Sequence, residues 1–169
     1  MKYFTREWAC GELSEAEYDS VLPRYNHDLA ASFKAGGPVR RFAGSIGLND
    51  AFVDRVVFDR ASASLRLLLT TGSLQVGYWH TELTYRGVTS VSGESVLRAA
   101  LATRPTEIWY DEFVCDGDIA CHAVLLAPRG SGAESPGEFA IRFDTFDYAQ
   151  SPAADRLLLS ADDRSQWGA

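Results

Sequence analysis

The acid–base chemistry this sequence can offer is concentrated in Asp111, Glu112 and His122, on two β-rich runs that flank Asp116-Gly117. Asp-Gly between such runs predicts a two-residue type I′ hairpin loop, because both loop positions need positive φ. With that loop, Asp111 opposes His122, Phe113 opposes Ala120 and Trp109 opposes Val124. On the other face Glu112 opposes Cys121 and Tyr110 opposes Ala123. Opposed Cβ atoms stand about 5 Å apart, so an Asp111–His122 contact is within reach. A carboxylate beside an imidazole is two thirds of a nucleophilic triad, or the start of a metal site. The plainer reading is an exposed cross-strand ion pair. Glu112 falls on the more apolar face, expected to be the core face. There it must find a donor such as a tyrosine hydroxyl, stand at the rim, or have its pKa raised by desolvation.

Nothing in the chain completes a familiar catalytic set. There is no G-x-S-x-G elbow for a hydrolase. His27, His80 and His122 fall in no H-x-H or H-E-x-x-H spacing, and Cys10, Cys115 and Cys121 form no C-x-x-C, so no metal is expected. Gly44-Ser45-Ile46-Gly47 lacks the lysine of a phosphate-binding loop. No cofactor is therefore expected. Tyr78, Trp79, Tyr85, Trp109, Tyr110 and Phe113 cluster on the sheet strands, as core or as the lining of a groove or interface. The candidate binding residues are thus Trp109, Tyr110, Asp111, Glu112, Phe113 and His122.

The elements that must position them follow from periodicity. Ser14-Glu15-Ala16-Glu17 reads as a capping box, with Leu13 and Tyr18 as a hydrophobic staple. Tyr18, Leu22, Tyr25, Leu29 and Phe33 then recur at helical spacing, predicting a helix over 14–34 that Gly36-Gly37-Pro38 ends and Pro23 kinks or splits. Residues 2–8, rich in aromatics, read as a strand. Residues 52–58, 65–70 and 74–85 read as an antiparallel meander. A second short helix is expected over 92–103, with Val96, Leu97, Ala100 and Leu101 inward and Arg104-Pro105 as its stop. Residues 107–115, 118–127 and 139–144 supply three more strands, and 130–137 a loop. The pattern predicts one α+β domain over 1–169: a single antiparallel sheet of about six strands, the N-terminal helix on one face and a polar, frayed tail at 160–169. Leu157-Leu158-Leu159 is expected to dock.

Composition narrows the function classes. Hydrophobic residues are 46 % and charged residues 23 % of the chain. Those proportions exclude a disordered chain. Sixteen basic against twenty-three acidic residues give a net charge of −7, with no basic stripe to neutralise phosphates. Nucleic acid is therefore not an expected partner, and a basic protein is. No apolar run has membrane-spanning length, and residues 1–8 show no secretory h-region, so the expected location is cytoplasmic. Three cysteines give no disulfide framework. Arginine in place of lysine, with abundant alanine, has the look of a GC-rich bacterial genome. The opening Met1-Lys2-Tyr3-Phe4-Thr5-Arg6-Glu7-Trp8, together with Leu74-Gln75-Val76-Gly77-Tyr78 and Ile108-Trp109-Tyr110-Asp111-Glu112, resembles a family of uncharacterised bacterial proteins. The run Leu83-Thr84-Tyr85-Arg86-Gly87-Val88 is similar to strands of small α+β immunity-type proteins of bacterial toxin systems. The expected function is a non-catalytic protein-binding module, immunity-like or accessory. The competing expectation is a small-molecule site or small enzyme around Tyr110, Asp111, Glu112 and His122.

Overall fold

A computed structural model describes residues 1–102, 106–128 and 137–154, together with the backbone of 165–167. The chain opens not on a strand but on a short helix, α1 (Arg6–Ala9), capped by Thr5, whose side chain accepts from the Trp8 amide. Residues 2–4 cannot pair as a strand because their three amides converge on one acceptor, the Glu112 carboxylate, whereas strand amides alternate in direction. α2 (Glu15–Ser32) starts at the expected capping box: Ser14 accepts from the Glu17 amide and the Glu17 carboxylate accepts from the Ser14 amide. It runs through Pro23 as one element. Pro23 stands on the exposed side, where water can replace the missing donor. Val21, Tyr25 and Leu29 are its buried residues, while Tyr18 and Leu22 stay out. Pro38 does more than end α2: it sits in the first turn of α3 (Pro38–Ser45), where its fixed φ suits a helix start.

The meander forms in the expected order, but residues 74–76, expected in its third strand, form the turn between the second and third strands. β1 (Phe52–Asp59), β2 (Ser64–Ser73) and β3 (Gly77–Arg86) pair antiparallel. β4 (Ser90–Ser92) leads into α4 (Glu94–Ala102), which buries Leu97, Ala100 and Leu101. β5 (Ile108–Asp116) and β6 (Ile119–Leu126) form the expected hairpin, followed by β7 (Glu138–Phe143) and β8 (Thr145–Ala153). β9 (Ser165–Trp167) lies parallel to β1. The stop at Arg104-Pro105, most of the 130–137 loop, Leu157-Leu158-Leu159 and most of the 160–169 tail lie outside the described residues.

The single six-strand sheet is replaced by two, in the orders β8-β3-β2-β1-β9 and β4-β7-β6-β5. The chain passes between them at adjacent points, Gly87 and Asp144. Gly87 adopts φ 63°, and a Cβ there would strike the Asp144 side chain. Only glycine takes that conformation without cost. The Asp144 amide donates to the Arg86 carbonyl at 3.0 Å, joining the two crossings. A second seam runs where the Val53 amide reaches the Thr106 carbonyl and the Ile108 amide the Ala51 carbonyl.

Two bulges sit beside that seam, at Asp54 in β1 and Trp109 in β5. Each puts residues three apart on one face: Val53 with Val56, and Ile108 with Asp111. One core follows, built from Val56, Leu65, Leu67, Leu69, Leu83 and Tyr85 of the first sheet and Phe113, Val124, Phe139, Ile141 and Phe143 of the second. Phe42 of α3 enters it and packs edge-on against Phe113 and Phe146. No helix among the described residues is long and apolar enough to cross a membrane.

Candidate functional site

The hairpin that carries the candidate residues turns at Gly117-Asp118, not at Asp116-Gly117. Asp116 pairs with Ile119, and Gly117 at φ 62° occupies the first loop position. Asp118 is not among the positive-φ residues. The loop therefore wants glycine first, as type II′ turns do, rather than the two positive φ values of type I′. Phe113 opposes His122 and Asp111 opposes Val124. The expected Asp111–His122 lateral pair becomes a diagonal pair. Each partner shifts by two positions, which preserves the face. The two side chains still meet: His122 Nε2 lies 3.0 Å from Asp111 Oδ2.

That face is not the exposed one. His122 is fully buried, and the Phe113 ring stacks on its imidazole at 4.0 Å with 3° between the planes. His122 Nδ1 meets the Tyr85 hydroxyl at 2.7 Å, across from the first sheet. A carboxylate offers only acceptors, which assigns the proton to Nε2. Nδ1 is then the acceptor, and the Tyr85 hydroxyl donates to it. The result is a closed chain Tyr85→His122→Asp111 in which every polar atom of the imidazole is satisfied. Burial pushes the Tyr85 pKa well above the ordinary tyrosine value, and the charge of Asp111 adds to the shift. A hydroxyl that holds its proton this firmly cannot work as a general base near neutral pH.

Glu112 faces the other way and is also fully buried. It neither stands at a rim nor finds a tyrosine. Its Oε2 accepts from the amides of Tyr3 at 2.8 Å and Phe4 at 3.1 Å, and its Oε1 from that of Lys2. The outer face of the second sheet is thereby covered by the N-terminal segment, and Tyr110 packs there against Phe4 and Trp8. Trp109 is the bulged residue, and its carbonyl accepts from the Asn49 amide group at 2.7 Å. Tyr110, Glu112 and His122 thus do not form one small-molecule site: the sheet separates the first two from the third.

No family model, curated protein or solved structure matches the chain.

Among the described residues no three His, Cys, Asp or Glu side chains converge on a metal position. The partner that sequence reasoning missed is Tyr85. Its signal was present, because Thr81, Leu83 and Tyr85 alternate toward the core along β3. Two features sit on the surface instead. On α2, Tyr18 is 43 % and Leu22 53 % exposed. At the β2–β3 turn, Leu74 is 90 % and Val76 72 % exposed beside Trp79. An open cleft of about 470 Å³ runs from that turn to the end of α3.

Proposed function

We propose that this protein is a non-catalytic binding module, immunity-like or accessory in role, which engages a basic protein partner through the exposed face of α1 and α2. The observation that carries the reading is an apolar pair inside an acidic field. Tyr18 and Leu22 are one helical turn apart, so they share a face, and both are substantially exposed. Within residues 6–20 stand Glu7, Glu12, Glu15, Glu17 and Asp19, all exposed, against Arg6 alone. Tyr18 is pre-ordered, its ring stacked on Trp8 at 5.0 Å and 7°. An ordered aromatic beside an aliphatic residue, among charges mostly of one sign despite Arg6 and Arg24, is the arrangement of an anchor with a steering rim. The residues able to do acid–base chemistry are, by contrast, engaged inside the fold. Net charge −7 without a basic stripe favours a protein over a nucleic acid.

The test is affinity capture from source-cell extract by wild type and by the Glu15→Lys/Glu17→Lys/Asp19→Lys variant. The expected partner is basic, is lost with the variant, and slows hydrogen exchange in α1 and α2. Raising salt from about 0.05 to 0.5 M should lower its association rate at least tenfold, since attraction is screened beyond about 8 Å at physiological ionic strength. A partner that protects another surface, or binds at a salt-independent rate, refutes the reading.

A further inference from the structure

The cleft beside the β2–β3 turn lies where the inner face of the first sheet changes character. Along β3 that face carries Tyr85 and Leu83, then Thr81 and Trp79; opposite them on β2 come Leu65 and Leu67, then Leu69 and Thr71. The polar end is organised. The Thr71 and Thr81 hydroxyls lie 2.7 Å apart, and the Gln150 amide nitrogen donates to Thr81 at 2.9 Å. Gln150 spends a donor on that bond and lines the cleft, and its amide group has an acceptor oxygen besides. Asn49, on the opposite wall, is held at the mouth by its bond to the Trp109 carbonyl. Trp79 lines the same cleft and is 37 % exposed.

Among the lining residues Asp50 alone bears a charge; the remaining polar groups are amides and hydroxyls. An anionic ligand would find no basic side chain among the lining residues, on a molecule of charge −7. For a metal ion the cleft offers a single acidic side chain, and among the described residues no three His, Cys, Asp or Glu groups gather there. A neutral, hydroxyl-rich ring fits both halves: its C–H face lies on an indole, and its hydroxyls pair with planar amides. The cleft volume of about 470 Å³ also suits such a ring. Small-molecule sites span roughly 300 Å³ to roughly 1000 Å³. We infer that this cleft binds a neutral saccharide, stacked on Trp79 and held by Asn49 and Gln150. The inference is independent of the helical docking face, because it uses none of that face's residues.

The experiment is a titration of the full chain with maltotriose, cellotriose and N,N′,N″-triacetylchitotriose, followed by tryptophan fluorescence and by hydrogen exchange, with sialyllactose as the anionic probe. At least one neutral trisaccharide should bind saturably by roughly millimolar concentration and protect the 71–79 segment. Trp79→Ala should weaken that binding about tenfold, the size of one aromatic stacking contact. Gln150→Ala should weaken it about fivefold, one hydrogen bond. If Trp79→Ala fails to fold, Trp79→Phe, which keeps a ring, should show a smaller loss than tenfold and Gln150→Ala the same fivefold loss. No saturable binding by any neutral probe, binding of sialyllactose alone, or binding indifferent to both positions would overturn the inference.

Discussion

Replacing Glu112 by Gln should destabilise the protein by about 3 kcal/mol while leaving its shape intact. The carboxylate accepts three backbone amides in a fully buried position. Gln keeps one oxygen, which can still serve Tyr3 and Phe4, but turns an NH2 group toward the Lys2 amide. One donor is then left without an acceptor, at a cost of about 2 kcal/mol. The two surviving bonds lose their charge assistance, about 1 kcal/mol each. Burying a neutral amide is easier than burying a carboxylate, which offsets about 1 kcal/mol of this. For a chain of this length, about 1 kcal/mol shifts Tm by about 2–4 °C, so Tm should fall by about 6–12 °C. Thermal melts at fixed pH, with amide exchange followed at Tyr3 and Phe4, test both the size and the place of the loss. Exchange should accelerate at those amides well before global unfolding. A variant melting within about 1 °C of wild type, equivalent to less than about 0.5 kcal/mol, would refute the claim that this carboxylate anchors the N-terminal segment. It would also return Glu112 to the pool of functional candidates.

Tyr85→Phe should cost about 1–3 kcal/mol in urea melts at neutral pH, because it leaves His122 Nδ1 buried without a donor. Burial raises the folded-state pKa of Tyr85 and of Tyr25. The unfolded chain therefore sheds its tyrosine protons first, near pH 10, and stability present below that pH is lost as pH rises through and above it. A Tyr25→Phe/Tyr85→Phe protein should show a much shallower alkaline slope in melts from pH 9 to 11, and an unchanged slope would contradict the assignment. A Cβ at Gly117 meets nothing within 4 Å. Gly117→Ala should therefore destabilise through its left-handed backbone alone, by about 1–2 kcal/mol. An unchanged urea midpoint would place the hairpin turn elsewhere. Cys115 and Cys121 should remain thiols under air, because in the observed register they point to opposite faces. A bridge needs Cβ atoms about 4 Å apart. A two-hydrogen mass deficit mapped to this pair by peptide analysis would disprove that.

What could be read from the sequence was mostly local. The Ser14–Glu17 capping box needs only four residues and is found as expected. The meander and the β5–β6 hairpin needed only alternation and turn residues. The reading failed where distant groups decide. Residues 2–4 have strand-like side chains, but their amides turn toward Glu112, more than a hundred positions away. The hairpin register was displaced because Asp-Gly and Gly-Asp both make two-residue turns, and the sign of φ at residue 116, positive in the first and negative in the second, separates them. Choosing the core face by counting apolar residues misled as well. Asp111 and His122 look like solvent groups until Tyr85 arrives from the other sheet to complete their bonds. The α3 start at Gly37-Pro38 carried its own signal, proline in the first helical turn, which reads equally well as the end of α2.

The adjacent carboxylates Asp111 and Glu112 show why acidic residues on this hairpin need not imply chemistry. β5 is the last strand of its sheet, and an end strand leaves amides without partners. The Phe113 amide is met by the Tyr25 hydroxyl of α2 at 3.2 Å, so this edge is covered by a helix rather than by another strand. Once a strand is covered on both faces and along its edge, alternation sends consecutive side chains into two different interiors. Each polar one then requires its own partner. Asp111 finds His122 on one side, and Glu112 finds the amides of residues 2–4 on the other. The same alternation leaves Trp79 at the open end of the first sheet, and Tyr18 and Leu22, on the same helical stripe as the buried Tyr25 and Leu29, stay exposed near the start of α2. Large side chains left substantially exposed are where this fold still has binding energy to offer a ligand or a partner.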